Sequence, residues 1–101
     1  MRIPAAVTFT ESATQDLVEM RAWYASRGVP DVGARLVAEV MARVEQLALF
    51  PESGRQVPEF EVPWLRELIH PPFRIVYRLD ADRVRVVRVW RSERLMRPTR
   101  T

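Results

Sequence analysis

The sequence predicts an α+β domain: a helical hairpin packed on an antiparallel sheet, with elements in the order β-α-α-β-β-β. Three observations predict it. In the first half of the chain apolar residues recur at helical spacing, as Ala13, Leu17, Met20 and Tyr24 and then as Val37, Val40, Met41, Val44, Leu47 and Ala48. In the last third the period is two, with Phe73, Ile75, Tyr77 and Leu79 alternating with Arg74, Val76 and Arg78. Glycine and proline at Gly28, Pro30, Pro51, Gly54, Pro63 and Pro71-Pro72 divide the chain into lengths that suit single elements.

Residues 5–9 form a short strand. Thr10 offers a hydroxyl to cap a helix over 11–27, with Ser12-Ala13-Thr14-Gln15 as an alternative capping box. Gly28 stops that helix. Pro30 and Asp31 suit the first turn of a second helix, which ends before Phe50-Pro51 because proline disfavours helical geometry in its predecessor. The short connection makes the two helices an antiparallel hairpin. Pro51-Glu52-Ser53-Gly54 is a turn, and 56–63 is an irregular connection with two prolines. Strands follow over 64–69, 73–79 and 83–90, joined at Pro71-Pro72 and at Asp80-Ala81-Asp82. Residues 91–101 are a basic tail with Leu95 and Met96 as anchors.

The 101 residues fit one domain, with a core over about 5–95. A hydrophobic fraction of 48% argues against disorder. No apolar run approaches the roughly 20 residues of a membrane span, and the apolar stretch at the N-terminus is too short for a signal peptide. There is no cysteine, which excludes disulfides and thiolate metal sites and fits a cytoplasmic protein. The acidic residues do not cluster as metal ligands, so neither a metal nor a cofactor is expected.

All 16 cationic side chains are arginine. Each is a planar, permanently charged fork suited to phosphate and carboxylate, and none can become a neutral amine base. They are unevenly placed. Residues 1–65 hold 6 Arg against 9 acidic residues, and residues 66–101 hold 10 against 4. A polarised chain of this kind steers toward acidic partners.

Several segments together carry a family likeness. They are Ala13 with Asp16-Leu17, Leu47 with Pro51 and Gly54-Arg55, Arg66-Glu67-Leu68, Phe73-Arg74-Ile75-Val76-Tyr77-Arg78, and the 86–90 strand ending in Arg91-Ser92-Glu93-Arg94. In order and spacing the chain resembles the RelE/ParE superfamily, the toxins of type II toxin–antitoxin pairs. The resemblance implies the fold derived above, a bacterial or archaeal cytoplasmic toxin, and a cognate antitoxin that wraps it as a heterodimer or heterotetramer. It also implies one of two targets. ParE-like members bind DNA gyrase without chemistry of their own, and RelE-like members cut mRNA on the ribosome. A third possibility is a degenerate toxin that only binds its antitoxin.

RNA cleavage needs a base, a cation for the charged transition state and an acid. The RelE-type toxins that this chain resembles supply lysines, arginines and a late tyrosine. Lysine is absent here, the last strand has no tyrosine, and Arg91 stands where a histidine often follows that strand. The residues left for a nuclease are Arg66, Glu67, His70, Arg91 and Glu93. His70, the one histidine, otherwise reads as an exposed turn residue beside Pro71-Pro72.

The ParE-like reading is therefore favoured, with no catalytic residues. Its target-binding candidates are Arg74, Arg78, Arg88, Trp90, Arg91, Arg94 and Arg97. Arg66, Arg74, Arg78, Arg85 and Arg88 read either as a basic face for a polyanion or as the solvated side of a half-buried sheet. Arg91, Arg94, Arg97 and Arg100 follow the last strand at three-residue steps. Trp90 suits either a partner pocket or the core. Trp23 lies off the apolar stripe and, with Tyr24, is the candidate antitoxin contact. Tyr77 shares the core face with Ile75.

Overall fold

The computed structural model describes residues 4–81 and 83–91. The chain runs β1 (Ala6–Phe9), α1 (Glu11–Ser26), α2 (Pro30–Gln46), β2 (Arg55–Gln56), β3 (Leu65–His70), β4 (Phe73–Leu79) and β5 (Arg83–Arg91). The five strands make one sheet in the order β1-β5-β4-β3-β2.

Local chemistry sets the helix ends. The Thr10 hydroxyl accepts the Ala13 amide at 3.0 Å and donates to the Val87 carbonyl at 3.0 Å, so one side chain caps α1 and ties it to β5. Gly28, at φ +80°, occupies the left-handed region that ends α1. Pro30 opens α2 and Asp31 lies in its first turn.

The sheet departs from the sequence expectation in one respect. The β2–β3, β3–β4 and β4–β5 pairs are antiparallel, but β1 runs parallel to β5, with Val7 against Val84 and Phe9 against Val86. The sheet is therefore mixed. The helical hairpin carries the chain across the sheet, and the later strands meander back until β5 lies beside β1. Alternation and turn residues report neighbouring pairings, and nothing in them signals a pairing between opposite ends of the chain.

The hairpin packs on one face of the sheet. The core joins Ala13 and Met20 of α1, Leu36, Val40 and Val44 of α2, and Leu47 to Leu68, Phe73, Ile75, Tyr77, Val84, Val86 and Val89. In α2 the buried line runs through Gly33 and Leu36, while Met41 is only half-buried. Gly33 suits this close contact, because a Cβ there would stand 3.0 Å from Cβ of Tyr24. Tyr77 is fully buried beside Ile75. Its hydroxyl accepts the Gly54 amide at 2.9 Å and donates to the Pro51 carbonyl at 2.8 Å, which fixes the turn after α2 against the sheet. Among the described residues no helix is long and apolar enough to cross a membrane.

Candidate functional site

The register assigns the arginines to faces. Residues opposite one another in a pair of strands point the same way. Ile75 opposite Val89 and Tyr77 opposite Val86 belong to the helix-covered face. The other face, which carries no helix, therefore holds Arg74 opposite Trp90, Val76 opposite Arg88 and Arg78 opposite Arg85. Val87 is the extra residue of a β-bulge, since Tyr77 pairs with Val86 and Val76 with Arg88. The expectation that the second face carries arginine thus holds for Arg74, Arg78, Arg85 and Arg88. It fails for Arg66, which pairs with Tyr77. Its guanidinium instead reaches the carbonyls of Gly54 at 2.9 Å and Glu52 at 3.3 Å beyond the sheet edge.

Arg74 is on this face but is not a surface cation. Its side chain is 3% exposed and lies between Glu67 and Glu59. Nε donates to Glu67, and the two Nη atoms grip Glu59 at 3.1 and 2.5 Å. The Glu67 side chain is fully buried and takes a second hydrogen bond from Arg55 Nε at 2.6 Å. Two cations and two carboxylates therefore compensate one another. The Arg74 hydrogen bonds hold the Glu59 carboxyl below the ordinary range. For Arg74 itself burial opposes the charged form, but the bonds to Glu59 and Glu67 outweigh it and raise its affinity for the proton. Glu59 sits in the irregular 57–63 segment, which is anchored by buried Val57. The sequence singled out Arg74 and Glu67 but not their enclosure, because Glu59 comes from a loop whose course no periodicity encodes.

Arg88 is also paired. β1 ends at Phe9, so the following stretch of β5 has no strand beside it, and Asp16 of α1 serves that edge. Its carboxylate accepts the Val89 amide at 2.8 Å and the Arg88 guanidinium at 2.8 and 3.0 Å. This bond to Asp16 raises the Arg88 pKa. The Arg88 guanidinium also covers the Trp90 ring at 4.5 Å.

Arg78 and Arg85 contrast with these. They face each other across β4 and β5, a like-charged pair that is unfavourable in isolation. Arg78 is 46% exposed, stacks on Trp64 at 4.9 Å, and has Asp80 at 3.7 Å, a long contact. Among the described residues Arg85 has no carboxylate within ion-pair distance. Beside the pair runs an apolar groove of about 370 Å³, formed by Val57, Phe60, Leu65, Val76, Val87 and Trp90. Phe60 and Trp64 are 56% and 46% exposed. Neither aromatic was singled out from the sequence, where the surrounding prolines mark only irregular chain.

Trp23, Tyr24 and Arg91 meet on the opposite side of β5, in a cleft of about 560 Å³. Arg91 donates to the Tyr24 hydroxyl at 3.1 Å and lies 5.1 Å from the Trp23 ring centre. Trp23 is 41% exposed and meets Tyr24 edge to face. His70 is farther round, and it is not a free turn histidine. Nε2 lies 3.0 Å from Glu39 and Nδ1 lies 3.4 Å from Arg43, both on α2. The hydrogen bond from His70, with that from Arg35, lowers the Glu39 pKa. Glu93, Arg94, Arg97 and Arg100 lie outside the described residues. Among the described residues no group of acids and histidine is placed to hold a metal ion.

An αα hairpin on a mixed five-stranded sheet is a fold that solved toxin–antitoxin structures share. A chain of the chromosomal ParDE toxin–antitoxin system from P. aeruginosa has this fold, with a TM-score of 0.74 and 23% identity over 89% of this chain and 98% of that one. So does a chain of the toxin–antitoxin complex RelBE2 from Mycobacterium tuberculosis, at TM-score 0.67 and 22% identity over 88% and 99%. No curated protein matches significantly in sequence. Over residues 7–96 the chain matches the family described as the ParE toxin of type II toxin–antitoxin systems, parDE, and it belongs to that family.

Proposed function

We propose that this toxin is a binding inhibitor of DNA gyrase, neutralised by a cognate antitoxin, and that it does not cleave RNA. The observation that carries the reading is that the described acid–base candidates are already engaged within the fold. Glu67 is spent in a buried ion pair, His70 is held by α2, Arg66 is bound to loop carbonyls, and Arg91 lies across the sheet beside Tyr24. A base, a cation and an acid acting on one phosphodiester must converge within hydrogen-bond reach. Each of these described residues is instead engaged by another group of the fold.

On this reading Arg78, Arg88, Trp90 and Arg91 contact the target, together with Arg94 and Arg97. Trp23 and Tyr24 contact the antitoxin, in a heterodimer or heterotetramer, and the site of action is the cytoplasm. Arg74, from the same set of sequence candidates, is reassigned to holding the fold. The test is gyrase supercoiling with the purified chain. Loss of supercoiling at molar excess of toxin is expected. Full supercoiling overturns the reading, and codon-positioned cuts in translated mRNA would replace it with a ribosome-dependent endonuclease.

A further inference from the structure

His70 is the only histidine of the chain. It closes β3 opposite Phe73 of the core, so its ring stands on the helix-covered face, at the seam between α2 and the sheet. Three charged residues of α2 follow that seam at four-residue steps, Arg35, Glu39 and Arg43. The Glu39 carboxylate is shared between two partners: Oε2 takes Arg35 at 3.0 Å, and Oε1 meets His70 Nε2 at 3.0 Å. Arg43 Nη1 lies 3.4 Å from His70 Nδ1 and donates to the Ile69 carbonyl at 3.3 Å. Its two hydrogens serve one acceptor each.

These partners fix the protons of the ring. A guanidinium only donates, so Nδ1 accepts and carries no proton. A carboxylate only accepts, so the proton is on Nε2. We propose that this seam is a proton-operated latch: neutral His70 holds Arg43 against β3, and protonation at Nδ1 releases Arg43 while the bond to Glu39 stays. The latch does not depend on which target the toxin inhibits.

The electrostatics run in one direction. A proton added at Nδ1 sets a donor against a donor and two cations side by side. Both changes expel Arg43, and its bond to the Ile69 carbonyl goes too, because one Nη atom makes both contacts. At Nε2 the same proton strengthens the hold, since the bond to the carboxylate becomes charged on both sides. Glu39 is fit for this role. Hydrogen bonds from His70 and Arg35 keep its carboxyl below the ordinary range, so it stays an anion while a histidine titrates. The remaining neighbours leave the ring to α2. Phe73, beside it on β4, is apolar, and Arg91, beyond Phe73 on β5, donates to the Tyr24 hydroxyl. Arg74 belongs to the other face and is enclosed by Glu59 and Glu67. The His70 side chain is 21% exposed, which gives protons and the displaced guanidinium access to water.

The test is NMR of the full chain between about pH 8 and about pH 5.5, a window holding the ordinary pKa of histidine and of no other side chain present. At the upper end the ring nitrogens should report the Nε2–H tautomer, and the Ile69 carbonyl carbon a hydrogen bond. At the lower end the ring is charged, and the Ile69 signal should move to its unbonded position. In Arg43→Leu that signal should begin unbonded and stay there. In His70→Gln a carboxamide can accept from Arg43 and donate to Glu39 at either pH, so the bonded position should persist throughout. Urea midpoints report whether both variants fold, and if His70→Gln does not, Arg43→Leu decides alone. The latch is refuted by an Nδ1–H ring at the upper end, or by an Ile69 signal that stays in place in the unaltered chain. It is equally refuted if the signal moves as far in a folded variant as in the unaltered chain.

Discussion

Arg74 and Arg78 share one strand and one face of the sheet, yet the protein uses them in opposite ways. Arg74 is enclosed between Glu67 and Glu59, and its charge is consumed inside the molecule. Arg78 lies past the end of that enclosure, stacked on an exposed tryptophan and opposite a second arginine. Residue type and strand position do not separate them. What separates them is the 57–63 segment, which crosses the face at Arg74 and leaves Arg78 uncovered. A cation under a loop becomes part of the fold, and a cation beyond it stays at the surface.

The comparison breaks most visibly at the buried carboxylate. Glu67→Gln removes the anion shared by Arg74 and Arg55, leaving a buried guanidinium short of a partner, and should cost about 3–5 kcal/mol in urea unfolding. A loss under about 1 kcal/mol would mean that the cluster is not integral to the fold.

The next largest effect concerns the turn beneath that cluster. A Cβ at Gly54 would stand 2.6 Å from both the Tyr77 hydroxyl and the Glu67 carbonyl oxygen, in backbone and ring that cannot easily yield. Gly54→Ala should destabilise by about 1–3 kcal/mol, with the Tyr77–Pro51 hydrogen bond lost. An unchanged midpoint would refute the close approach.

A smaller effect is pH-dependent. Glu59 has a lowered pKa because Arg74 binds its charged form. Its contribution to stability is full above the ordinary glutamate range and is lost as pH falls through the depressed value. Urea midpoints of the unaltered chain should therefore fall more steeply with acidification than those of Glu59→Gln. Identical slopes would remove Glu59 from the account.

Much of this was legible in the sequence. The Thr10 cap, the Gly28 stop, both helices, the three long strands and the core face of β4 follow from local spacing and turn chemistry. Leu36, buried in the core, lies one position before the α2 stripe that apolar spacing marks from Val37. The parallel pairing of β1 with β5 was not legible, nor was the bond between Asp16 and Arg88, since both join distant parts of the chain. The candidate site was legible by face and not by availability. Alternation assigned Arg74, Arg78, Arg85 and Arg88 to one side of the sheet. Which of them stay open depends on acids supplied from α1 and from an aperiodic loop.

The division between fold and surface is tested most directly by one paired measurement, the urea unfolding free energies of Arg74→Gln and Arg78→Gln. Arg74→Gln should lose about 3–5 kcal/mol by leaving Glu67 and Glu59 without their shared cation. Arg78→Gln should stay within about 0.5 kcal/mol of the unaltered chain. Equal losses from the two substitutions would contradict the account.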